Sequence, residues 1–266
     1  MKSLIFAGRN TKEMVRDPVL YIFCIGFPVA MLTLFAVINR FTGGSTPMFL
    51  PRTLVPGVMV FSFTFVMLVM SLLVSRDKST AFLRRLYAAP IRPHQFVLGY
   101  AFPAILIGIA QAFVCVAAGA VLARICDYPC YSFGQAMLLV LSQLPILVAC
   151  VFLGILFGAL LNDKSAPGIT SVFITASGIL GGAWMPLDTM GSFETFCRCL
   201  PFYPSVVIGR ILTDATHTVT DYTTMYAEPY TFDTAARLGL IPIVLYLAAS
   251  MLLSFLVFRL QMKRDN

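Results

Sequence analysis

The sequence predicts an all-α integral membrane protein with six membrane-crossing helices, and three observations carry that prediction. Hydrophobic residues make up 59% of the 266 residues and charged residues only 12%, with a mean hydropathy of +0.86, outside the soluble range. Six runs, at residues 19–38, 53–75, 97–123, 136–161, 166–186 and 238–258, contain no Asp, Glu, Lys or Arg. About twenty apolar residues rising 1.5 Å each match a hydrocarbon core roughly 30 Å thick. The basic residues are also uneven: counted from the N-terminus, alternate segments between the runs hold 13 Lys or Arg against 6 in the others. That bias puts both termini in the cytoplasm. The net charge of +7 then reflects topology and attraction to anionic inner-leaflet lipid. It does not point to nucleic acid, because basic residues do not interleave with aromatics.

The first segment, residues 1–18, is not expected to be a secretory signal: its apolar run stops early and Arg9, Lys12, Glu13, Arg16 and Asp17 follow. Leu4, Ala7 or Gly8, Thr11 and Met14 or Val15 recur at helical spacing, so an amphipathic helix on the membrane surface is expected. A tail that only sets topology is the plainer reading. Pro18 breaks the path into the first run. Every run holds a proline (Pro28, Pro56, Pro103, Pro145, Pro167 and Pro242), each a source of kinks.

Between the second and third runs lies the most charged stretch of the chain, DKSTAFLRRLYAAPIRP, within the segment 76–96. Asp77 or Ser79 is expected to cap a helix there, and Pro90 to stop it. Phe82, Leu83 and Leu86 form an apolar stripe flanked by Lys78, Arg84 and Arg85. A connection needs no such length, as the four-residue turn at 162–165 shows. The stripe covers lipid, the protein's own bundle, or a groove on a partner. On a partner, each apolar side chain would contribute roughly 1.5–3 kcal/mol.

Gly154 and Gly158 permit close helix approach, as do Gly178, Gly181 and Gly182, which form a candidate outer gate. The outer segment 187–237 follows. Its stretch SFETFCRCLPFYPSVVIGRIL places Phe193, Phe196, Cys197 and Leu200 at helical spacing, then Pro201 and Pro204, then a second apolar helix at 206–212. Two half-helices joined by prolines form either a re-entrant hairpin or a pair lying on the outer surface. Residues 213–234 turn polar and read as a solvated cap. Cys24, Cys115 and Cys150 lie in apolar runs as packing residues. Cys126, Cys130, Cys197 and Cys199 lie outside, where Cys126 pairs with Cys130, the two outer segments are bridged, or the thiols stay free. Their spacing matches no metal site, and none is expected.

The chain lacks HExxH, GxSxG and GxxxxGK[ST], so no catalytic or cofactor-binding residues are expected. No acid, base or histidine lies inside the six runs, which argues against a proton relay. Energy for any uphill process must therefore enter from the cytoplasm through protein contact.

Taken in order, several motifs resemble those of the membrane subunits of the ABC-type-2 exporter family. They are Arg16-Asp17-Pro18; Asp77, Arg85-Leu86, Pro90 and Gly99; the GGAWMP of 181–186; and LPFYP followed by Arg210. The chain departs from the family at Ala81-Phe82, where many members carry Gly-Thr. The resemblance implies one transmembrane domain over 1–266, a permease working as a homodimer or heterodimer, and two separate ATPase subunits that hold ATP and magnesium. It implies an ATPase-coupling interface at Arg16, Asp17, Asp77, Phe82, Leu83, Arg84, Arg85, Leu86 and Pro90, and an outer gate at Gly178, Gly181, Gly182, Trp184, Pro186, Pro201, Phe202 and Pro204. It also implies export across a bacterial plasma membrane, and the aromatic, Met-rich, uncharged interior suits an amphipathic cargo such as a drug, antimicrobial peptide or lipid-linked glycan. A carrier or channel working without ATP, or a receptor using the polar cap, are the other readings.

Overall fold

The computed structural model describes residues 2–43, 46–80, 93–220, 225–232 and 234–265. Helix α1 (Lys2–Arg16) ends where Asp17 becomes extended. The Asp17 carboxylate then caps the next helix by accepting from the Val19 N–H at 2.9 Å, with Pro18 in the first turn. That helix, α2 (Pro18–Phe41), widens to a π-turn over Tyr21–Gly26. Pro28 explains the widening: it lacks an N–H and its ring presses on the carbonyl one turn back, which an opened turn relieves.

Helix α3 (Pro51–Ser79) is the centre post. Its apolar stretch is 89% buried, against 22% for α2. Helices α4 (Pro93–Ile125) and α5 (Phe133–Leu160) follow, α5 interrupted at Gln143 just before Pro145. The core is a column of Val58, Met59, Val66, Met67 and Met70 from α3 against Leu147, Cys150, Val151 and Ile155 from α5. Gly154 and Gly158 bring the two helices together. A Cβ on Gly154 would stand 2.5 Å from the Met67 carbonyl oxygen, and one on Gly158 2.7 Å from that of Ser71.

The turn at 162–165 forms as expected, with the Ala166 N–H donating to Asn162 O at 2.9 Å. Five of the six charge-free runs become helices long enough to cross a membrane; the run 166–186 yields the 15-residue α6 (Ala166–Leu180). Gly181 and Gly182 stop it, Gly182 in the left-handed region at φ +60°. Even so, α6 runs antiparallel to α3 along much of its length. Thr170 Oγ1 lies 3.3 Å from Ser71 Oγ at one end, Gly178 abuts Phe61, and Ala183 meets Gly57 beyond the other end.

The outer segment forms two short helices, α7 (Ser192–Arg198) and α8 (Phe202–Leu212). They are unequal: α7 is largely exposed apart from Cys197, whereas α8 is packed among α3, α5 and the last helix. The second half-helix begins at Phe202 rather than 206, because Pro204 is compatible with a first helical turn. The polar cap is not irregular throughout. Strands β1 (Thr216–Thr220) and β2 (Met225–Pro229) pair antiparallel with His217 opposite Glu228, a small correction to the all-α expectation. Thr at every other position of β1, with Val219 between two of them, favours a pleated strand. Helix α9 (Thr234–Leu238) leads to α10 (Leu240–Asp265), which hydrogen-bonds α5 through Ser254 Oγ to Phe152 O at 2.8 Å and Gln261 Nε2 to Ala159 O at 2.8 Å.

Gly154→Leu should cost roughly 1–3 kcal/mol in a reversible detergent-unfolding titration, because the Met67 backbone cannot yield. Gly168→Leu, with nothing within 4 Å of its would-be Cβ, should leave the midpoint unchanged.

Candidate functional site

Three successive residues close α3, and each reaches a different neighbour. Side chains one residue apart on a helix point roughly 100° apart, so Arg76, Asp77 and Lys78 fan out. Arg76 faces Asp17 at 3.6 Å and Asp163 at 4.0 Å, tying the start of α2 to the turn before α6. These contacts are half-exposed and weak. Lys78 Nζ donates to Ala159 O at 2.8 Å, capping the last turn of α5, where a cation complements the helix dipole.

Asp77 is the strong member. It is 3% exposed and accepts a two-pronged bond from Arg9 of α1, Nη1 to Oδ2 at 2.7 Å and Nη2 to Oδ1 at 2.9 Å. The Tyr100 hydroxyl of α4 donates to Oδ2 at 2.6 Å. Asp77 therefore sits in the final turn of α3 and does not cap a new helix, as the sequence had led one to expect. Its hydrogen bond raises the Arg9 guanidinium above its ordinary pKa. Arg9 also pairs with Glu13 at 2.6 Å, while burial raises the Glu13 carboxyl against that attraction.

Around this pair α1 docks on α4 rather than lying on lipid alone. Asn10 Nδ2 donates to Gly99 O at 3.1 Å, and the Phe6 ring meets Tyr100 edge-on with centroids 4.9 Å apart. The buried face is Phe6, Ala7, Asn10 and Met14. Of the alternatives read in the sequence, Ala7 and Met14 are the buried ones and Gly8 and Val15 are exposed; Phe6 and Asn10 join the face, the Asn10 amide satisfied by the Gly99 carbonyl. Gly8, Lys12, Glu13, Arg16, Asp17 and Arg76 line an open groove of about 890 Å³ beside the junction. Thus Arg16, Asp17 and Asp77 lie together, whereas Phe82, Leu83, Arg84, Arg85, Leu86 and Pro90 fall outside the described residues.

The opposite end holds a second polar junction. Arg210 of α8 is fully buried. It donates from Nε to Thr53 O at 3.2 Å, from Nη2 to Gly182 O at 2.6 Å, and from Nη1 to the Tyr230 hydroxyl at 3.3 Å. No carboxylate pairs with it directly among the described residues; Tyr230 relays the charge by donating to Asp188 Oδ2 at 2.5 Å. The Tyr203 hydroxyl lies 2.6 Å from Asp188 Oδ1 and 3.0 Å from Glu194 Oε1. Burial first, and Asp188 as well, push both phenols above their ordinary range, so they stay protonated and donate. A cavity of about 570 Å³ opens beside them, lined in part by His217 and Glu228.

Most residues of the expected gate collect around this junction. Gly178 lies against Phe61 and Trp184, and Trp184 meets Phe61 edge-on at 4.8 Å. Gly181 faces Phe202, the Gly182 carbonyl is held by Arg210, and Pro201 and Pro204 are buried at the start of α8. Pro186 is exposed on the turn. All seven cysteines are free thiols, including Cys126, Cys130, Cys197 and Cys199. Cys197 points into a small cluster with Leu187 and Tyr203 while Cys199 is exposed, so the two do not face one another.

The profile of the ABC-2 type transporter family matches residues 3–213. The chain belongs to that family and is the permease component of an ABC transporter, a membrane protein of transport rather than a catalytic domain. A search of curated proteins finds no match. The matched region includes both polar junctions except Tyr230, and stops before the β-hairpin and α10.

Arg9→Ala and Asp77→Ala should each destabilise the protein, and their double-mutant cycle should give a coupling of about 0.5–3 kcal/mol. Arg76→Ala with Asp17→Ala should show close to none, as expected of an exposed pair. Thermal unfolding in detergent reads both cycles.

Proposed function

We propose that this chain is one half of an exporter, a six-span permease driven by separate ATPase subunits docked on its cytoplasmic face. The observation that carries the reading is the fan at the end of α3. It lies directly before residues 81–92, where the sequence sets the apolar stripe of Phe82, Leu83 and Leu86 between arginines. A push on that segment enters the centre post at the point where α3 is already tied to α1, α4 and α5. The groove beside Arg16 and Asp17 would extend the same docking surface onto α1.

The six spans of this reading are α2 to α6 and α10. At 1.5 Å per residue, α6 covers roughly 22 Å, and residues 181–186 supply the remaining depth. Helices α7 and α8 form the outer hairpin, re-entrant through its buried second half. Both termini lie in the cytoplasm, on the side of Arg9 and Arg76, in agreement with the Lys and Arg bias. A second permease, identical or different, completes the pathway along α2, α3 and α6. There Phe27 of α2 and Trp184 beyond α6 close on Phe61 and Phe65 of α3, so opening requires α2 and α6 to part. Such an apolar lining suits a drug, an antimicrobial peptide or a lipid-linked glycan. ATP and magnesium act on the ATPase subunits of a bacterial plasma-membrane assembly.

Gentle isolation from the native membrane should recover an ATPase subunit with the permease, and export from reconstituted vesicles should require ATP. Leu86→Asp should leave insertion and the thermal midpoint unchanged while abolishing ATP-driven export. Transport that persists without any ATPase would establish a carrier working alone.

A further inference from the structure

The turn at 126–132 joins α4 to α5, and below it the two helices separate into a groove of about 530 Å³. Its walls are apolar: Phe113, Ala117, Ala120 and Val121 from α4, Ala136 and Met137 from α5. The floor carries no unmet polar demand, because the Tyr131 hydroxyl donates to Val116 O at 2.5 Å. At the open end stands Arg124, exposed and without an ion pair or hydrogen bond among the described residues. A second cation, Arg52 of α3, reaches the same turn and donates to Cys130 O at 2.7 Å.

We propose that this groove holds one phospholipid, an acyl chain between α4 and α5 and its phosphate on Arg124. The turn connects two membrane-crossing helices and so lies where hydrocarbon meets water, the depth of lipid phosphates. Val121, Ile125 and Phe133 are exposed at 57%, 63% and 82% around the rim, acceptable only against hydrocarbon. An apolar helix covering the groove would desolvate Arg124 and give its charge no partner, which is costly. A second copy of the chain would bring another unpaired cation. A phospholipid meets both demands, apolar filling below and a planar two-pronged guanidinium–phosphate contact above. The groove lies away from the aromatic layer over α3, so the lipid is a structural wedge and not cargo.

The test is lipid retention by the full-length protein, purified in mild detergent and read by native mass spectrometry with phosphatidylglycerol and diacylglycerol of matched acyl chains. The wild type should retain one phosphatidylglycerol and release diacylglycerol. Arg124→Gln should weaken retention by about tenfold, the loss of a charge-assisted contact. Ala120→Trp, which fills the groove and keeps the arginine, should abolish it at an unchanged elution volume. Equal retention of the two lipids, or of phosphatidylglycerol by wild type and Arg124→Gln, would overturn the proposal. So would an Ala120→Trp variant that changes the oligomeric state but not the lipid count.

Discussion

A carboxylate that is 3% exposed must have partners, and the partners of Asp77 set the architecture of one whole end of this permease. A buried charge left unpaired costs several kcal/mol, so the final turn of α3 is acceptable only when Arg9 and Tyr100 close on it. Arg9 brings α1 and Tyr100 brings α4. Because the flanking Arg76 and Lys78 point elsewhere by helical geometry, the same turn also engages the start of α2 and the end of α5. One turn of helix thereby gathers four neighbours with little apolar driving force, as befits a membrane protein whose helices gain nothing from hiding oil within oil.

The other end solves a similar problem differently. Arg210 is buried without a direct anion among the described residues and is satisfied by two carbonyls, the Met48 thioether and a phenol, with the counter-charge one hydroxyl away on Asp188. That arrangement binds the start of α3, the glycine turn after α6 and the cap to α8. Between the two junctions α3 and α5 pack at backbone contact through glycine, leaving the column stiff. Under the proposed function the movement falls to the stretches of α2 and α6 between those ties, where contact with α3 is largely aromatic and apolar apart from the Thr170–Ser71 hydroxyl pair.

Much of this was legible in the sequence because the membrane imposes simple rules. Charge-free runs located the helices, and the charged break between two of them located the turn at 162–165, whereas the stop after Leu180 falls inside a run read as a single span. The glycines at 178, 181 and 182 were legible as contact points, since small residues have few other uses at helix crossings. The junctions themselves were not. Asp77 followed by Ser79 reads locally as a helix start, and only the distant Arg9 and Tyr100 turn it into a helix end. Arg210 was legible as an outer basic residue and as part of the motif after LPFYP, but its burial was not, because that depends on Thr53 and Tyr230, far away in the chain. The β-hairpin was hidden by its polarity, because its β-branched residues favour a strand but no apolar alternation marks a buried face.

The central claim is that α1 and the end of α3 move as one body and pass force inward. Spin labels at Lys12 and Ser79, both exposed, measure it by pulsed dipolar distances in the ATPase-bound assembly before and after trapping with ATP and vanadate. A reference pair at Val37 and Ile179 reports the flank of α2 and α6. The account predicts an unchanged distance for the first pair and a shifted one for the second. A first pair that separates by a helical turn, about 5 Å, while the second stays fixed would contradict it.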